Sequence, residues 1–242
     1  MNYYDEKVGF PVSAVDRIRT YRLSPRMKQT ILSVLIWGVL AHLYMYMNRI
    51  VNHDAVYSLR SFGSTITSGR WMITLLDEIA FKFHNHYVTP WGIGSVTLLI
   101  YAASACVLVK IFDIRSRPLC WVLGALLVTY PTVTSNNLYI FTAHIYALAF
   151  LLVCLSVLLL TCFRGLPSFA GSSLLIACSL GLYQAYLPFL LSTYVLLVML
   201  SVNRQSLLSA SGKRRSVPHS LRRRNTVLTV ILFGVSLLGG LL

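Results

Sequence analysis

The sequence predicts an all-α integral membrane protein, a polytopic helix bundle with about six or seven spans. Its 242 residues are 56% hydrophobic and only 12% charged, with a mean hydropathy of +0.68. The apolar residues fall in runs that are too long and too numerous for a soluble core. The basic residues cluster in alternate connecting segments, which is the asymmetry that the positive-inside rule describes for membrane proteins.

The apolar runs give the predicted spans in chain order. They lie at residues 30–47, 91–112, 119–133, 139–163, 171–202 and 226–242. No signal-peptide pattern precedes the first run, so we interpret it as a retained span after a cytoplasmic basic tail of residues 1–29. A transmembrane domain is then expected over residues 30–242, with an outer loop at 48–90 and a basic cytoplasmic loop at 203–225.

The run at 171–202 is too long for one upright helix and short for two full spans with a turn. Basic residues on both sides of it place both of its ends in the cytoplasm. This favours two crossings that reverse near residues 181–188, where Gly and Pro loosen the helix. A single, steeply tilted helix is the alternative, because tilt is not determined by length alone.

The net charge of +14 does not predict nucleic-acid binding. All but four of the 21 Lys and Arg residues fall in segments that alternation places in the cytoplasm, the exceptions being Arg49, Arg60, Arg70 and Lys82. The charge is therefore explained by topology and by attraction to anionic lipid. No metal site is predicted, because His84 and His86 lack further ligands at suitable spacing.

The outer loop carries the residues that suggest chemistry. Of the seven carboxylates in the chain, only Asp54, Asp77 and Glu78 fall on the outer face. Asp54 directly follows the first span, where a partly desolvated carboxylate is suited to accept a proton. A helix cap or a solvated turn residue is the alternative interpretation of Asp54.

Residues 70–83 have the pattern of an amphipathic interfacial helix. At 100° per residue, one face collects the polar residues Arg70, Thr74, Asp77, Glu78 and Lys82. We expect the apolar side to face the membrane and the acids to turn toward the outer face of the bundle. A re-entrant anchor with a Glu78–Lys82 surface pair is the alternative.

Three further polar or cationic residues are candidates for binding. Arg70 could hold a phosphate through paired N–H donors, or its side chain could extend to the interface for structural reasons alone. Tyr183 and Gln184 are polar groups in an apolar run, which favours a cavity lining. Helix-to-helix hydrogen bonding is their alternative role.

These features together resemble a known family. The elements are Asn-His-Asp-Ala at 52–55, Ser-Gly-Arg-Trp at 68–71, an acid-bearing loop helix, and Gly-Leu-Tyr-Gln at 181–184. In this order they resemble the type II glucosyltransferases, bacterial inner-membrane enzymes of the Gtr group that modify O-antigen. The resemblance covers residues of about 30 to 200. Family members are longer, so this chain is expected to be the N-terminal part of a longer architecture.

The family is similar to the type C glycosyltransferases, whose first outer loop carries a catalytic acid and part of an amphipathic helix. The resemblance implies a polyprenyl-phosphate-linked glucose as donor and a lipid-linked or growing O-antigen polysaccharide as acceptor. No cofactor is expected, and a requirement for a divalent metal stays open. It also implies a multi-pass protein of the inner membrane with a cytoplasmic N-terminus. A flippase and a donor synthase of the same pathway are the expected protein partners.

The resemblance also implies roles for individual residues. Asp54 is the expected base, Arg70 the phosphate clamp, and Glu78 or Asp77 the group that positions a sugar hydroxyl. Substrate binding is assigned to Arg70 together with His53, Trp71, Tyr183 and Gln184. The expected reaction is a single displacement that inverts the anomeric centre.

Two alternatives from other functional classes stay open. The first is a lipid-linked sugar flippase or transporter, although such proteins tend to have internal repeats and ionisable residues near the bilayer midplane. No convincing repeat is found here, and the acids lie at the interface. The second alternative is a truncated, non-catalytic membrane partner.

Overall fold

The computed structural model describes residues 23–48, 69–82, 89–163 and 165–211, apart from the side chains of Phe81, Ser201 and residues 204–211. The regular structure of these ranges is entirely helical. The α-helices are α1 (Pro25–Asn48), α2 (Trp71–Lys82), α3 (Pro90–Ile111), α4 (Arg117–Thr129), α5 (Pro131–Leu138), α6 (Ala143–Cys162), α7 (Leu166–Leu182) and α8 (Leu187–Ser211). A 3₁₀ turn, Gln184–Tyr186, lies between α7 and α8.

Three helices, α1, α3 and α6, are long and apolar enough to cross a membrane. Helices α4 and α5 would make a fourth crossing if they form one span, bent by 43°. The chain is therefore an all-α membrane protein, as the sequence predicts, with three or four candidate spans among the described residues. The predicted span at 226–242 lies outside the described residues.

The first helix begins earlier than the hydropathy indicates. It starts at Pro25, whereas the predicted tail extends to residue 29. Arg26 and Lys28 precede the apolar run but belong to the helix, because both residue types are good helix formers. The helix therefore extends about one turn into the predicted basic tail.

Helices α1 and α3 pack antiparallel through small residues. Gly38 of α1 lies against the Leu98 side chain, and Gly94 of α3 lies against the Tyr46 ring. At the opposite end of the pair, the Cys106 thiol approaches the Met27 carbonyl at 3.8 Å. The end of α1 thus lies next to the start of α3, so the two ends of the predicted outer loop are close together.

Ion pairs connect the elements at the other end of the bundle. In the turn from α3 to α4, Asp113 adopts a left-handed conformation (φ +49°) and pairs with Arg115 at 2.9 Å and Arg26 at 3.8 Å. Arg26 also donates to the Ile114 carbonyl at 2.9 Å. The basic start of α1 is therefore joined to the turn between α3 and α4.

Helix α4 runs parallel to α1 and ends at a proline bend. The helix ends at Thr129, so its last carbonyls have no helical donors, and Pro131 contributes no N–H to them. His42 of α1 compensates for one of them, because its Nε2 donates to the Val128 carbonyl at 2.9 Å. The uncharged segment after Pro131, which has no hydrophobic signal, forms the short helix α5.

Three serines define the direction of α7. Their hydroxyls donate to backbone carbonyls of α6, at 2.8 Å (Ser179 to Ala149), 3.1 Å (Ser172 to Ser156) and 2.9 Å (Ser168 to Leu159). As the α7 residue number falls, the α6 residue number rises. The two helices are therefore antiparallel.

Helix α8 then returns along α6. The Phe189 ring lies 4.7 Å from the Phe150 ring, and farther along the helix the Tyr194 hydroxyl lies beside the hydroxyls of Ser156 and Ser172. The chain therefore reverses at the 3₁₀ turn. The reversal lies within residues 181–188, where the sequence predicts it. That α7 and α8 each cross the membrane stays a prediction.

Candidate functional site

The reversal between α7 and α8 meets the start of α2. A Cβ atom added to Gly181 would lie 2.6 Å from Cε2 of Trp71 and 3.1 Å from Cβ of Met72. Gly69, with φ +75°, lies against the side-chain amide of Gln184. Both positions need glycine, one for close packing and the other also for its backbone conformation. Two motifs that are about 110 residues apart in sequence thus form one site.

Arg70 and Tyr183 form the centre of this site. The Arg70 guanidinium carbon lies 5.5 Å from the centre of the Tyr183 ring, within the range of a cation–π contact. Both residues are only partly buried. The N–H donors of a guanidinium point outward in its own plane, so a ring that contacts one of its faces leaves them available for a phosphate.

Tyr183 belongs to a cluster of aromatic rings at the end of the bundle. Its ring lies 4.2 Å from Tyr146 and 5.3 Å from Tyr186, and Tyr146 in turn lies 6.4 Å from Tyr139. Such a group of rings is rigid and offers apolar faces with polar hydroxyl edges. It holds Tyr183 in position under Arg70.

Helix α2 buries a different face from the one expected. Ile73 is fully buried and Asp77, one turn later, is partly buried, whereas Trp71, Leu75 and Ile79 are 49%, 44% and 44% exposed. The polar residues of α2 therefore differ in exposure and do not form one outward-facing surface. The bundle covers the side of Ile73 and leaves an apolar stripe for the membrane interface.

This orientation separates the two adjacent acids. Asp77 lies on the side of α2 that packs against the bundle, while Glu78 is exposed together with Lys82. The expectation that both acids turn toward the outer face of the bundle stays a prediction, and within it the two acids differ in burial. A helical wheel gives the residues that share a face but does not give the side that a neighbouring helix covers.

Two of the predicted site residues, Asp54 and His53, lie outside the described residues. The structure brings together Arg70, Trp71, Tyr183 and Gln184, and it places Asp77 on the same short helix. Within the described ranges no group of three His, Cys, Asp or Glu side chains is arranged to hold a metal ion.

Sequence reasoning missed a polar cluster next to this site. Asn136 of α5 donates to the Tyr186 hydroxyl at 3.4 Å, and the Tyr101 hydroxyl of α3 lies beside both groups. Asn136 and Asn137 are 5% and 1% exposed. The only signal in the sequence was a short uncharged polar segment between two apolar runs.

No curated protein and no solved structure matches the chain in comparisons with known proteins. A family model described as glucosyl transferase GtrII matches residues 43–241. The match spans the Arg70 and Tyr183 motifs and every helix from the end of α1 to α8. This chain belongs to the GtrII glucosyl transferase family, a family of membrane glucosyltransferases.

Proposed function

We propose that the chain transfers a glucosyl group from a polyprenyl-phosphate donor to an O-antigen or other cell-surface polysaccharide. The observation that carries this proposal is the convergence of Arg70 with Tyr183 and of Trp71 with Gly181, in a chain of a glucosyltransferase family. An accessible guanidinium next to aromatic rings suits a ligand that combines a phosphate with a sugar.

The proposed donor explains why a strong cation lies at the edge of an apolar bundle. A polyprenyl chain stays in the bilayer, so its phosphate must be bound at the depth where the helices end. Arg70 lies at the start of α2, and the exposed stripe of Trp71, Leu75 and Ile79 suits contact with lipid. The phosphate of a membrane-anchored donor would therefore reach Arg70 without leaving the interface.

The reaction follows from the leaving group. The acceptor hydroxyl oxygen attacks the anomeric carbon, the bond from that carbon to the phosphate oxygen breaks, and the configuration inverts. Asp54 takes the hydroxyl proton, and Arg70 neutralises the departing polyprenyl phosphate. Asp77 positions a sugar hydroxyl, a role for which Glu78 is the alternative, and His53, Trp71, Tyr183 and Gln184 complete the binding site.

The proposed setting is the outer face of the bacterial inner membrane, with a cytoplasmic N-terminus. Of the described cationic side chains, Arg70 and Lys82 lie at one end of the bundle, and the others lie at the opposite end, namely Arg26, Lys28, Lys110, Arg115 and Arg117. This distribution supports the orientation. We propose six or seven crossings, of which α7 and α8 are two, and a flippase and a donor synthase as pathway partners.

The experiment that tests the proposal is a transfer assay in isolated membranes. Radiolabelled polyprenyl-phosphate glucose and O-antigen acceptor are supplied to wild type, to Asp54→Asn and to Asp113→Asn at matched protein levels. Because general-base catalysis contributes about 100-fold or more, Asp54→Asn should abolish most transfer. Asp113→Asn makes the same chemical change at the opposite end of the bundle and should retain activity.

Two results would contradict the proposal. Unchanged transfer by Asp54→Asn would remove the assignment of the base. Absence of transfer by wild type, together with movement of labelled lipid across the bilayer, would favour the flippase.

A further inference from the structure

The segment that joins α5 to α6 holds three buried polar side chains in an otherwise apolar bundle. Asn136, Asn137 and Thr142 are 5%, 1% and 2% exposed. Buried polar groups are costly unless they are hydrogen-bonded, so each one requires an explanation.

Two of these side chains have polar atoms without a partner among the described residues. The Nδ2 atom of Asn137 and the Oγ1 atom of Thr142 are buried and unbonded. Thr142 is the residue that precedes α6, a position where a threonine hydroxyl normally caps the helix, yet its side chain makes no capping bond. Local helix formation therefore does not explain either group.

One member of this group adjoins the candidate site directly. Asn136 donates to the Tyr186 hydroxyl at 3.4 Å, the Tyr186 ring lies 5.3 Å from the Tyr183 ring, and the Arg70 guanidinium carbon lies 5.5 Å from the centre of the Tyr183 ring. Asn136 and Arg70 are thus connected through two aromatic side chains. A ligand that binds both residues would carry a phosphate at one end and a hydrogen-bonding group at the other.

The chemistry of the segment is uncharged. An asparagine amide has two N–H donors and an acceptor oxygen, and a threonine hydroxyl both donates and accepts, so these groups suit sugar hydroxyls, which also donate and accept. The neighbouring tyrosine rings provide apolar surface for the C–H faces of a sugar. Buried water would satisfy the same atoms, and the experiment below distinguishes water from sugar.

Access to the segment requires only a local movement. Tyr186, whose hydroxyl contacts Asn136, is held in the 3₁₀ turn by a long backbone hydrogen bond, 3.4 Å from its nitrogen to the Tyr183 carbonyl. Gln184 and Ala185 on the same turn are exposed. Displacement of this short turn would open the polar segment toward Arg70 without disturbing the long helices.

We propose that Asn136, Asn137 and Thr142 form the subsite that binds hydroxyl groups of the donor hexose while Arg70 holds its phosphate. This inference rests on the proposed function and adds to it the residues that select the sugar. Sites that pair buried polar groups with ligand hydroxyls discriminate strongly against ligands that lack them.

The test measures binding to the purified full-length chain by calorimetry. Two probes are used, a short-chain polyprenyl phosphate and the same lipid phosphate carrying glucose. Wild type should bind the glucose-bearing probe roughly tenfold more tightly, as expected for one or two net hydrogen bonds. Asn137→Ala should lose most of this difference and still bind the bare lipid phosphate like wild type, which also shows that the variant is folded.

Three further variants complete the design. Asn48→Ala removes an exposed asparagine, whose amide donates to the Tyr44 carbonyl, and should keep the full sugar-dependent difference. Arg70→Ala should weaken binding of both probes. If Asn137→Ala does not fold, Thr142→Val removes the second unbonded polar atom at almost constant volume.

Each remaining outcome has a defined meaning. A sugar-dependent difference that persists in both Asn137→Ala and Thr142→Val would overturn the subsite, as would equal binding of the two probes by wild type. Failure of wild type to bind either probe would overturn the proposed function and, with it, this inference.

Discussion

At the residue scale, adjacent acids on α2 have different environments. Asp77 is one turn from the fully buried Ile73, whereas Glu78 is exposed. A carboxylate can orient a bound sugar only if it faces the ligand, so burial rather than acidity distinguishes the two residues. The geometry favours Asp77 for the positioning role.

Neutral substitutions at these two acids test this assignment. Asp77→Asn should lower glucosyl transfer about tenfold or more, because a hydrogen bond to a charged group contributes roughly 1.5–3 kcal/mol. Glu78→Gln should leave the rate within about twofold, since an exposed pair with Lys82 contributes little. Kinetic constants measured in matched membranes would decide, and a larger loss in Glu78→Gln would reverse the assignment.

Part of the site could be predicted from residue types alone. Arg70, Trp71, Tyr183 and Gln184 are conspicuous as charged, polar or interfacial groups at the ends of apolar runs, and the structure brings them together. Asn137 and Thr142 could not be predicted in the same way. Their significance depends on burial and on missing partners, which only the packing of α5 and α6 determines.

At the element scale, the contact between α2 and α7 positions the guanidinium. Gly181 leaves just enough space for the Trp71 ring, and Arg70 directly precedes that tryptophan. Because Gly181 has no side chain, Trp71 packs closely against α7, and this packing positions the neighbouring Arg70. Close packing of Trp71 against Gly181, rather than a hydrogen bond, determines the position of Arg70.

Gly181→Ala should therefore impair activity more than stability. The added methyl group would force the half-exposed Trp71 ring to move and would carry Arg70 away from Tyr183. We expect transfer to fall at least tenfold by displacement of the clamp, with little change in thermal unfolding. Transfer rate and melting temperature in detergent are the two measurements.

The matched control lies on the same helix. A methyl group on Gly171 would meet Leu159 at 3.4 Å, an ordinary contact with a flexible side chain. Gly171→Ala should therefore keep its activity. Equal losses in the two variants would show that any alanine in α7 is harmful, and that the Trp71 contact has no special role.

Hydropathy predicts the helices better than their ends. It locates α1, α3 and α6 because these are continuous apolar runs. It gives no signal for α5, where eight mostly polar residues form a helix after Pro131. Tertiary packing supplies the missing stabilisation there, since the Val133, Asn136 and Asn137 side chains are buried against neighbouring helices.

At the scale of the whole molecule, the two ends of the bundle differ in chemistry. One end has arginines and the Asp113 ion pairs, and the other has α2, the aromatic cluster and the 3₁₀ turn. In a bilayer this asymmetry would place the candidate site on the outer face. Helix α7 is short for a full crossing, because its 17 residues span about 26 Å. The reversal that follows α7 would therefore be recessed from that face.

Cysteine labelling tests this arrangement in intact cells. The five native cysteines are free, so they are first replaced by alanine or serine. Lys82→Cys, Ala185→Cys and Arg115→Cys are then introduced singly at exposed positions. A membrane-impermeant maleimide should label Lys82→Cys and Ala185→Cys from outside, and Arg115→Cys only after permeabilisation.

The Ala185 position is decisive for the reversal, because in a continuous span it would lie in the hydrocarbon core and would stay unlabelled under both conditions. Labelling of Arg115→Cys alone would instead invert the proposed orientation and place the candidate site in the cytoplasm, where an outer-face polysaccharide could not be its acceptor.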